Sequence, residues 1–319
     1  MEIKLSVIIP TLNRAELLNR TLQSLSNQTL SSDDYEIIII DNGSIDNTKE
    51  ICDIWKSKFK NYIYIYDNRP GLHIGRNRGY LESRGDILVY GDDDIEVTDT
   101  WLETIINGFS DKNTVLIGGS DYPNFEVTPP EWVNELWQTD NDGNKLLLAY
   151  SCIDMGNEEK EITPYYVFGC NFAVRKSVIQ ATEGFHPDGM PKKLLMYRGD
   201  GESYIASYII KNNLKTKYLP GASVKHFVSK NRMTKEYVNG IAYRNGVSDM
   251  FTMLRKYSLI HCLLSIIKRK IRFLIARKGV TEQELNSISG QIFLLKKYIL
   301  SHKVRKWIHL KNYLNAVAL

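Results

Sequence analysis

Four short apolar runs dominate the first hundred residues, at 4–10, 35–40, 62–66 and from Ile87 onward, and stretches of helical periodicity separate them. Leu17, Leu18, Leu22 and Leu25 recur at helical spacing after the first run, and Ile51, Ile54 and Trp55 give residues 46–59 an inward face. A further helix is expected over 76–83. Strand–helix alternation of this kind predicts an α/β fold built on a doubly wound, mostly parallel sheet. Nearly continuous Ile/Val/Leu runs fit strands covered on both faces. Sheets of this type bind ligands beyond the carboxyl ends of their strands. Thr11, Asp41, Asn68 and Asp92 stand at such ends, so they are expected to converge on one crevice.

The fourth run is the most informative chemically. Ile87-Leu88-Val89-Tyr90-Gly91 passes directly into Asp92-Asp93-Asp94. Three crowded carboxylates repel one another, and a hard divalent cation relieves the repulsion through oxygen ligands. Gly-Asp-Asp is also ordinary turn chemistry. Either reading suits the residues taken alone.

The rest of the chain is less regular. Residues 121–161, with Pro129-Pro130 and Asp140-Asn141-Asp142-Gly143, read as loop and short helix. Strands are expected over 165–174, 216–219 and 222–227, and a helix over 203–212. From Lys235 the pattern is helical. Ile260, Leu263, Leu264, Ile267, Ile271 and Leu274 share one face; Leu285, Ile288, Ile292, Leu295 and Ile299 form a second stripe. Residues 268–319 carry 12 Lys/Arg against 2 Asp/Glu, whereas the preceding part carries 29 basic and 35 acidic residues. A mildly acidic body with a basic tail points to an anionic partner for the tail. Cys52, Cys152, Cys170 and Cys262 are scattered, which argues against structural zinc and for reduced thiols in a cytoplasmic setting. No secretory leader or membrane-spanning run is recognised; the best candidate, 259–267, stops at Lys268-Arg269-Lys270.

Several segments together resemble the family-2 glycosyltransferases, inverting enzymes of the GT-A fold that use nucleotide-diphosphate sugars. Ser6-Val7-Ile8-Ile9-Pro10-Thr11-Leu12-Asn13-Arg14 is similar to that family's first strand and donor loop, and Ile37-Ile38-Ile39-Ile40-Asp41-Asn42-Gly43-Ser44 to its second. Gly75-Arg76-Asn77-Arg78-Gly79 resembles an Arg-Asn-x-Gly segment, Asp92-Asp93-Asp94 a DxD element, and 169–175 the strand below the acceptor site. These elements occur in the family's order between residues 5 and 228, which is more specific than any one of them.

The resemblance implies a donor site of Pro10, Thr11, Asn13, Asp41, Asn68, Arg76, Asp92 and Asp93. Asp41 would face the nucleobase, or else cap a turn or helix; Arg76 would reach the diphosphate, or else pair with a surface acid. Asp94 is the implied direct ligand of Mn2+ or Mg2+, with Asp92 beside it and His226 completing the shell. A general base is implied in Arg198-Gly199-Asp200-Gly201-Glu202, where glycine stands in place of the family's first glutamate. Asp200 is the first candidate and Glu202 the second, since a one-residue shift exchanges them. Trp132, Tyr165, Tyr166 and Tyr197 offer sugar-stacking faces.

The expected organisation is a catalytic domain over 1–232, with a donor half at 1–120 and an acceptor half at 121–232, followed by a basic helical extension over 233–319. The expected partners are a nucleotide-diphospho-sugar, a UDP-sugar foremost, and a glycan or lipid-linked glycan, with no nucleic acid. The extension is expected to pack on the core and to touch an anionic membrane face through 260–311; a homodimer through these helices is the other option. A non-catalytic glycan-binding or scaffold protein on the same fold is the rival reading. Nucleotidyl transfer and dinucleotide chemistry lack their glycine-rich phosphate loops after the first strand.

Overall fold

The computed structural model describes residues 3–276 and 280–316. Residues 1–2, 277–279 and 317–319 of the expected domains and of the 260–311 stretch lie outside that description.

The four apolar runs form strands β1 (Leu5–Thr11), β2 (Tyr35–Asp41), β3 (Tyr62–Tyr66) and β4 (Ile87–Gly91), joined by helices α1 (Ala15–Leu25), α2 (Thr48–Lys56) and α3 (Leu72–Glu82). They pair in parallel in the order β3-β2-β1-β4. Successive side chains point to opposite faces. Val7, Ile9, Ile37, Ile39 and Val89 join α1 and Trp101 in one core layer, and Ile8, Ile38, Ile40, Leu88 and Tyr90 join Phe185 and Ile205 in another. Burial on both faces is why these strands read as continuous hydrophobic runs.

Two local expectations differ. Helix α3 begins at Leu72 rather than near Arg76, because Gly71, at φ +118°, makes a turn that a side chain would strain. Ile54 points outward and is 59% exposed; Thr48 and Cys52, one turn apart, form the buried face of α2.

The chain continues through β5 (Ile95–Val97), α4 (Trp101–Gly108), β6 (Thr114–Gly118), β7 (Asp121–Phe125), α5 (Glu131–Asn134), β8 (Gln138–Thr139), β9 (Lys145–Leu147), β10 (Cys152–Asp154) and β11 (Lys160–Glu161). It then forms β12 (Asn171–Arg175), α6 (Lys176–Ala181), α7 (Glu202–Lys211), β13 (Lys215–Tyr218) and β14 (Val224–Val228). The main sheet runs β11-β13-β6-β12-β4-β1-β2-β3, with β12 antiparallel to both of its neighbours. A smaller sheet, β5-β14-β7-β10-β9-β8, draws four of its strands (β7 to β10) from residues 121–161, expected to be loop and short helix, while β14 matches the strand expected over 222–227. Its strands are two to five residues long, too short for a period of two to register in the sequence. Likewise 165–174 is strand only from Asn171 onward.

The extension comprises α8 (Lys235–Lys256), α9 (Leu259–Ala276), α10 (Glu282–Leu300) and α11 (His302–Ile308). Thr281 and Glu284 form a reciprocal capping box at the start of α10. Helices α8 and α10 meet backbone to backbone: a Cβ on Gly246 would lie 1.9 Å from the Ser287 carbonyl oxygen, and one on Gly290 2.0 Å from that of Tyr243. Buried Val247, Met250, Leu294 and Trp307 share a core with Met190 and Tyr197, which precede the extension in the chain. Trp307 Nε1 donates to the Tyr197 carbonyl at 2.7 Å, and Arg255 donates to the carbonyl of Leu310 at 2.9 Å. The extension is therefore built into the wall beside α7.

Candidate active site

Parallel register sets Thr11 beside Asp41 and Asp41 beside Tyr66, while Gly91 opposes Asn171 across β4 and β12. The strand ends share one rim, and the triple acid follows β4 directly.

The three acids occupy different environments. Asp93 is buried: Thr11 Oγ1 donates to its Oδ2 at 2.6 Å and Arg14 Nη1 to its Oδ1 at 2.5 Å. Burial raises its pKa, Arg14 opposes this, and Asp94 adds to it, leaving Asp93 at about 6. Asp94 Oδ2 faces Arg14 at 3.1 Å and Arg232 at 3.3 Å, and Oδ1 lies 3.3 Å from His226 Nε2. Burial alone would raise the Asp94 carboxyl, but His226, Arg14 and Arg232 outweigh it and hold it below the usual carboxylate range. Asp92 is half-buried and open to the cleft. One ligand atom each from Asp92, Asp94 and His226 lie within 4.8 Å of one another. Asp94 Oδ1 is buried without a well-formed hydrogen bond, as suits a lone pair directed at a cation. Two carboxylates and an imidazole are a donor set that a divalent ion such as Mn2+ accepts. Behind them, burial pushes Asp121 up to about 8 with only partial relief from His226, so it stays protonated at neutral pH.

Arg76 is the second hub. Its side chain is 3% exposed and lies 3.2 Å from Glu202, 3.8 Å from Asp92 and 4.0 Å from Asp188. Its partners are the partly exposed acids Glu202 and Asp92 and the more buried Asp188. Gly169 makes room for it, since a Cβ there would meet Arg76 Nη2 at 2.1 Å. Asp188 is also held by Arg198 at 2.8 Å.

Asp200 and Glu202 separate clearly. Asp200 Oδ1 lies 2.6 Å from His186 Nδ1, and Oδ2 accepts from Thr252 Oγ1 of α8 at 2.6 Å. Burial keeps His186 neutral below its ordinary value despite the pull of Asp200, so its Nδ1–H donates. Gly199, at the position of the family's glutamate, packs against α8: an added Cβ would meet Phe251 at 3.1 Å. Gly201, at φ +49°, turns the chain into α7 and sets Glu202 in the helix's first turn.

Two cavities meet at Asp92. One, of about 510 Å³, is lined by Pro10, Thr11, Arg14, Asn42, Asn68 and Asp93. The other, of about 400 Å³, is lined by Asp188, Glu202, His226, Arg232, Tyr165 and Tyr237, among others. Asp92 lines both. Beyond the second cavity a trough continues along α8, sharing Leu148, Ala149, Ile241 and Asn245 and reaching Thr281 and Glu284 at the start of α10. Asp200 lines none of these three cavities, and neither do Asp41 and Asn13. Asp41 Oδ1 accepts from the backbone N–H of Gly43 and Ser44, and Oδ2 accepts from Tyr64 Oη at 2.8 Å. This is the Asx-turn alternative of the sequence. Asn13 Oδ1 accepts from the N–H of Ile45. Trp132, Tyr166 and Tyr197 also lie outside the catalytic cleft, whereas Tyr165 is on its wall.

Arg14, Asn42, Asp188 and Arg232 line the two cavities and were not singled out in the sequence. Arg14 and Asn42 each lie within a quoted strand-end segment, so position alone could have flagged them. Asp188 and Arg232 carry no local signal.

The description Glycosyl transferase family 2 matches residues 6–182, more than half of the chain. Among curated relatives, glycosyltransferase AglE of Haloferax volcanii is 37% identical over 123 residues, covering 37% of this chain and 40% of that protein. Poly(ribitol-phosphate) beta-N-acetylglucosaminyltransferase TarP of Staphylococcus aureus is 37% identical over 117 residues, covering 36% of each. Abequosyltransferase RfbV of Salmonella typhimurium is 30% identical over 168 residues, covering 48% and 49%. The matched segments thus span half or less of these relatives. Among solved structures, mannosyltransferase PcManGT from Pyrobaculum calidifontis, in complex with GDP-Man and Mn2+, superposes with a TM-score of 0.57 at 16% identity, covering 98% of this chain and 85% of that one. S. aureus TarS 1-349 with UDP-GlcNAc gives a TM-score of 0.54 at 16% identity, covering 98% and 87%. These likenesses establish the GT-A fold. The segment that supplies the strand-end rim and the triple acid is the one the family description covers, and the chain belongs to glycosyl transferase family 2.

Proposed function

We propose that this chain is a metal-dependent inverting glycosyltransferase, moving a sugar from a nucleoside-diphosphate donor to a hydroxyl of a glycan or lipid-linked glycan. The observation that carries the reading is the junction at Asp92, where a strand-end pocket suited to a nucleotide meets a second cleft bearing a carboxylate. PcManGT with GDP-Man and TarS with UDP-GlcNAc support the donor class, and a UDP-sugar is the first to test.

Asn42, Asn68 and Thr11 line the pocket for the nucleoside, and Arg14 stands toward the phosphates. Asp92, Asp94 and His226 would hold a divalent cation, Mn2+ in preference to Mg2+ because of the imidazole, and that ion supplies charge neutralisation for the departing diphosphate. Glu202 is the proposed base: it lines the acceptor cleft, and Arg76, 3.2 Å away, orients its carboxylate. As the acceptor oxygen bonds to C1, its proton passes to Glu202 and the C1–O bond to the β-phosphate breaks. Asp200 is a positioning residue, tying His186 to Thr252 of α8 and so fixing the entry to α7.

Thermal stability across a panel of nucleoside diphosphates, with and without Mn2+, tests the donor site. A metal-dependent rise for one nucleotide is expected, by mass-action stabilisation of the native state. A flat panel would favour the non-catalytic scaffold.

A further inference from the structure

Helix α9 presents an apolar face that no described residue covers. Ile260, Leu264, Ile267, Ile271, Leu274 and Ile275 are between 48% and 76% exposed. At 3.6 residues per turn they fall within one arc of roughly 100°. The opposite face is the packed one: Cys262 and Ile266 are buried against the core of α8, α10 and α11. The arrangement is inverted relative to an ordinary surface helix, with much of its apolar material turned outward.

The charges bordering the stripe indicate what covers it. Lys268 and Arg272 lie along one edge and Lys270 along the other, and residues 259–276 contain no Asp or Glu. Glu284 lies 3.7 Å from Arg272, a solvent-accessible contact of small worth. A second copy docking stripe to stripe would bring rows of like charge together. An anionic bilayer accepts both features, since its acyl boundary takes the Ile/Leu face and its headgroups take the lysines and arginine. No described helix is long and apolar enough to cross a membrane, so the fit is to the interface plane.

We infer that α9 seats the protein on an anionic lipid surface, its outward Ile/Leu stripe in the interface and Lys268, Lys270 and Arg272 on headgroup phosphates. Helices α10 and α11 are not part of this seat, because Ile288, Leu295, Val304 and Ile308 are buried. Glu284, beside Arg272, also ends the trough that leaves the catalytic cleft. If the transferase reading holds, that trough opens toward the lipid.

Flotation of the full-length protein with phosphatidylcholine vesicles, with and without phosphatidylglycerol, tests the seat. Wild type is expected to float with the anionic vesicles at low salt and to remain behind with phosphatidylcholine alone. L264E/I271E, which changes only exposed side chains, is expected to lose flotation. K268Q/K270Q is expected to bind about fivefold more weakly per residue changed. Absence of wild-type flotation at low salt would overturn the inference. So would undiminished flotation of L264E/I271E, or a wild-type dimer in sedimentation equilibrium that this variant abolishes with no lipid binding in either protein. The nucleotide-dependent thermal shift is read separately, so failure of the lipid seat and failure of the transferase reading are distinguishable.

Discussion

Replacing Glu202 by Gln separates the two acids of the α7 entry most directly. Glutamine preserves volume and a hydrogen-bond acceptor for Arg76, which keeps Asp92 at 3.8 Å and Asp188 at 4.0 Å, so the stability cost is about 1 kcal/mol. It removes the only proton-accepting function at that position. Loss of a general base lowers turnover by about 10²–10⁴, or roughly 3–5 kcal/mol of transition-state stabilisation. Glu202 lines the acceptor cleft and not the strand-end pocket, so nucleotide binding is expected to be unchanged. D200N makes the contrast. Asparagine still accepts from Thr252 and can meet His186 in its other tautomer, so the expected loss is about tenfold or less. The assay is release of nucleoside diphosphate under saturating donor, with nucleotide-induced thermal shift as the binding control. An E202Q protein within about fivefold of wild type, beside a D200N protein slowed about 10³-fold with donor binding intact, would refute the assignment.

Three further outcomes follow from the geometry. D94N is expected to abolish the Mn2+-dependent part of the thermal shift, a loss of about 3 kcal/mol at a hundredfold excess of ligand over its Kd, and a retained shift would move the metal elsewhere. Burial lowers His73 to about 4, against an ordinary value near 6.5, so the unfolded chain binds the extra proton first. Its contribution is complete above about pH 6.5 and fades by up to about 3 kcal/mol toward pH 4; denaturant melts of wild type and H73Q should diverge in slope across that window. G246A drives a methyl into the Ser287 carbonyl and should cost about 2–3 kcal/mol, read as a lower Tm and faster proteolysis between α8 and α10.

The sequence by itself determined the parallel half of the sheet. Long apolar strands ending in polar residues allow few other arrangements, and their register brings Thr11, Asp41 and the triple acid to one rim. It also singled out the 198–202 stretch as a candidate source of a base. What it could not rank were groups whose roles depend on contacts over long sequence separations. Asp200 is bound by Thr252 and His186, Arg76 is drawn inward by Glu202 and Asp188, and Asp94 meets His226 and Arg232. Strands β7 to β10 of the smaller sheet escaped notice because they are shorter than the window that periodicity needs. The two apolar stripes of the extension read alike as sequence, yet Ile288 and Leu295 in the middle of one are buried, with Leu285 and Ile299 at its ends exposed, while the other faces outward along α9. Periodicity specifies that a helix has an apolar face; only the packing of the remaining elements decides whether the chain itself covers it.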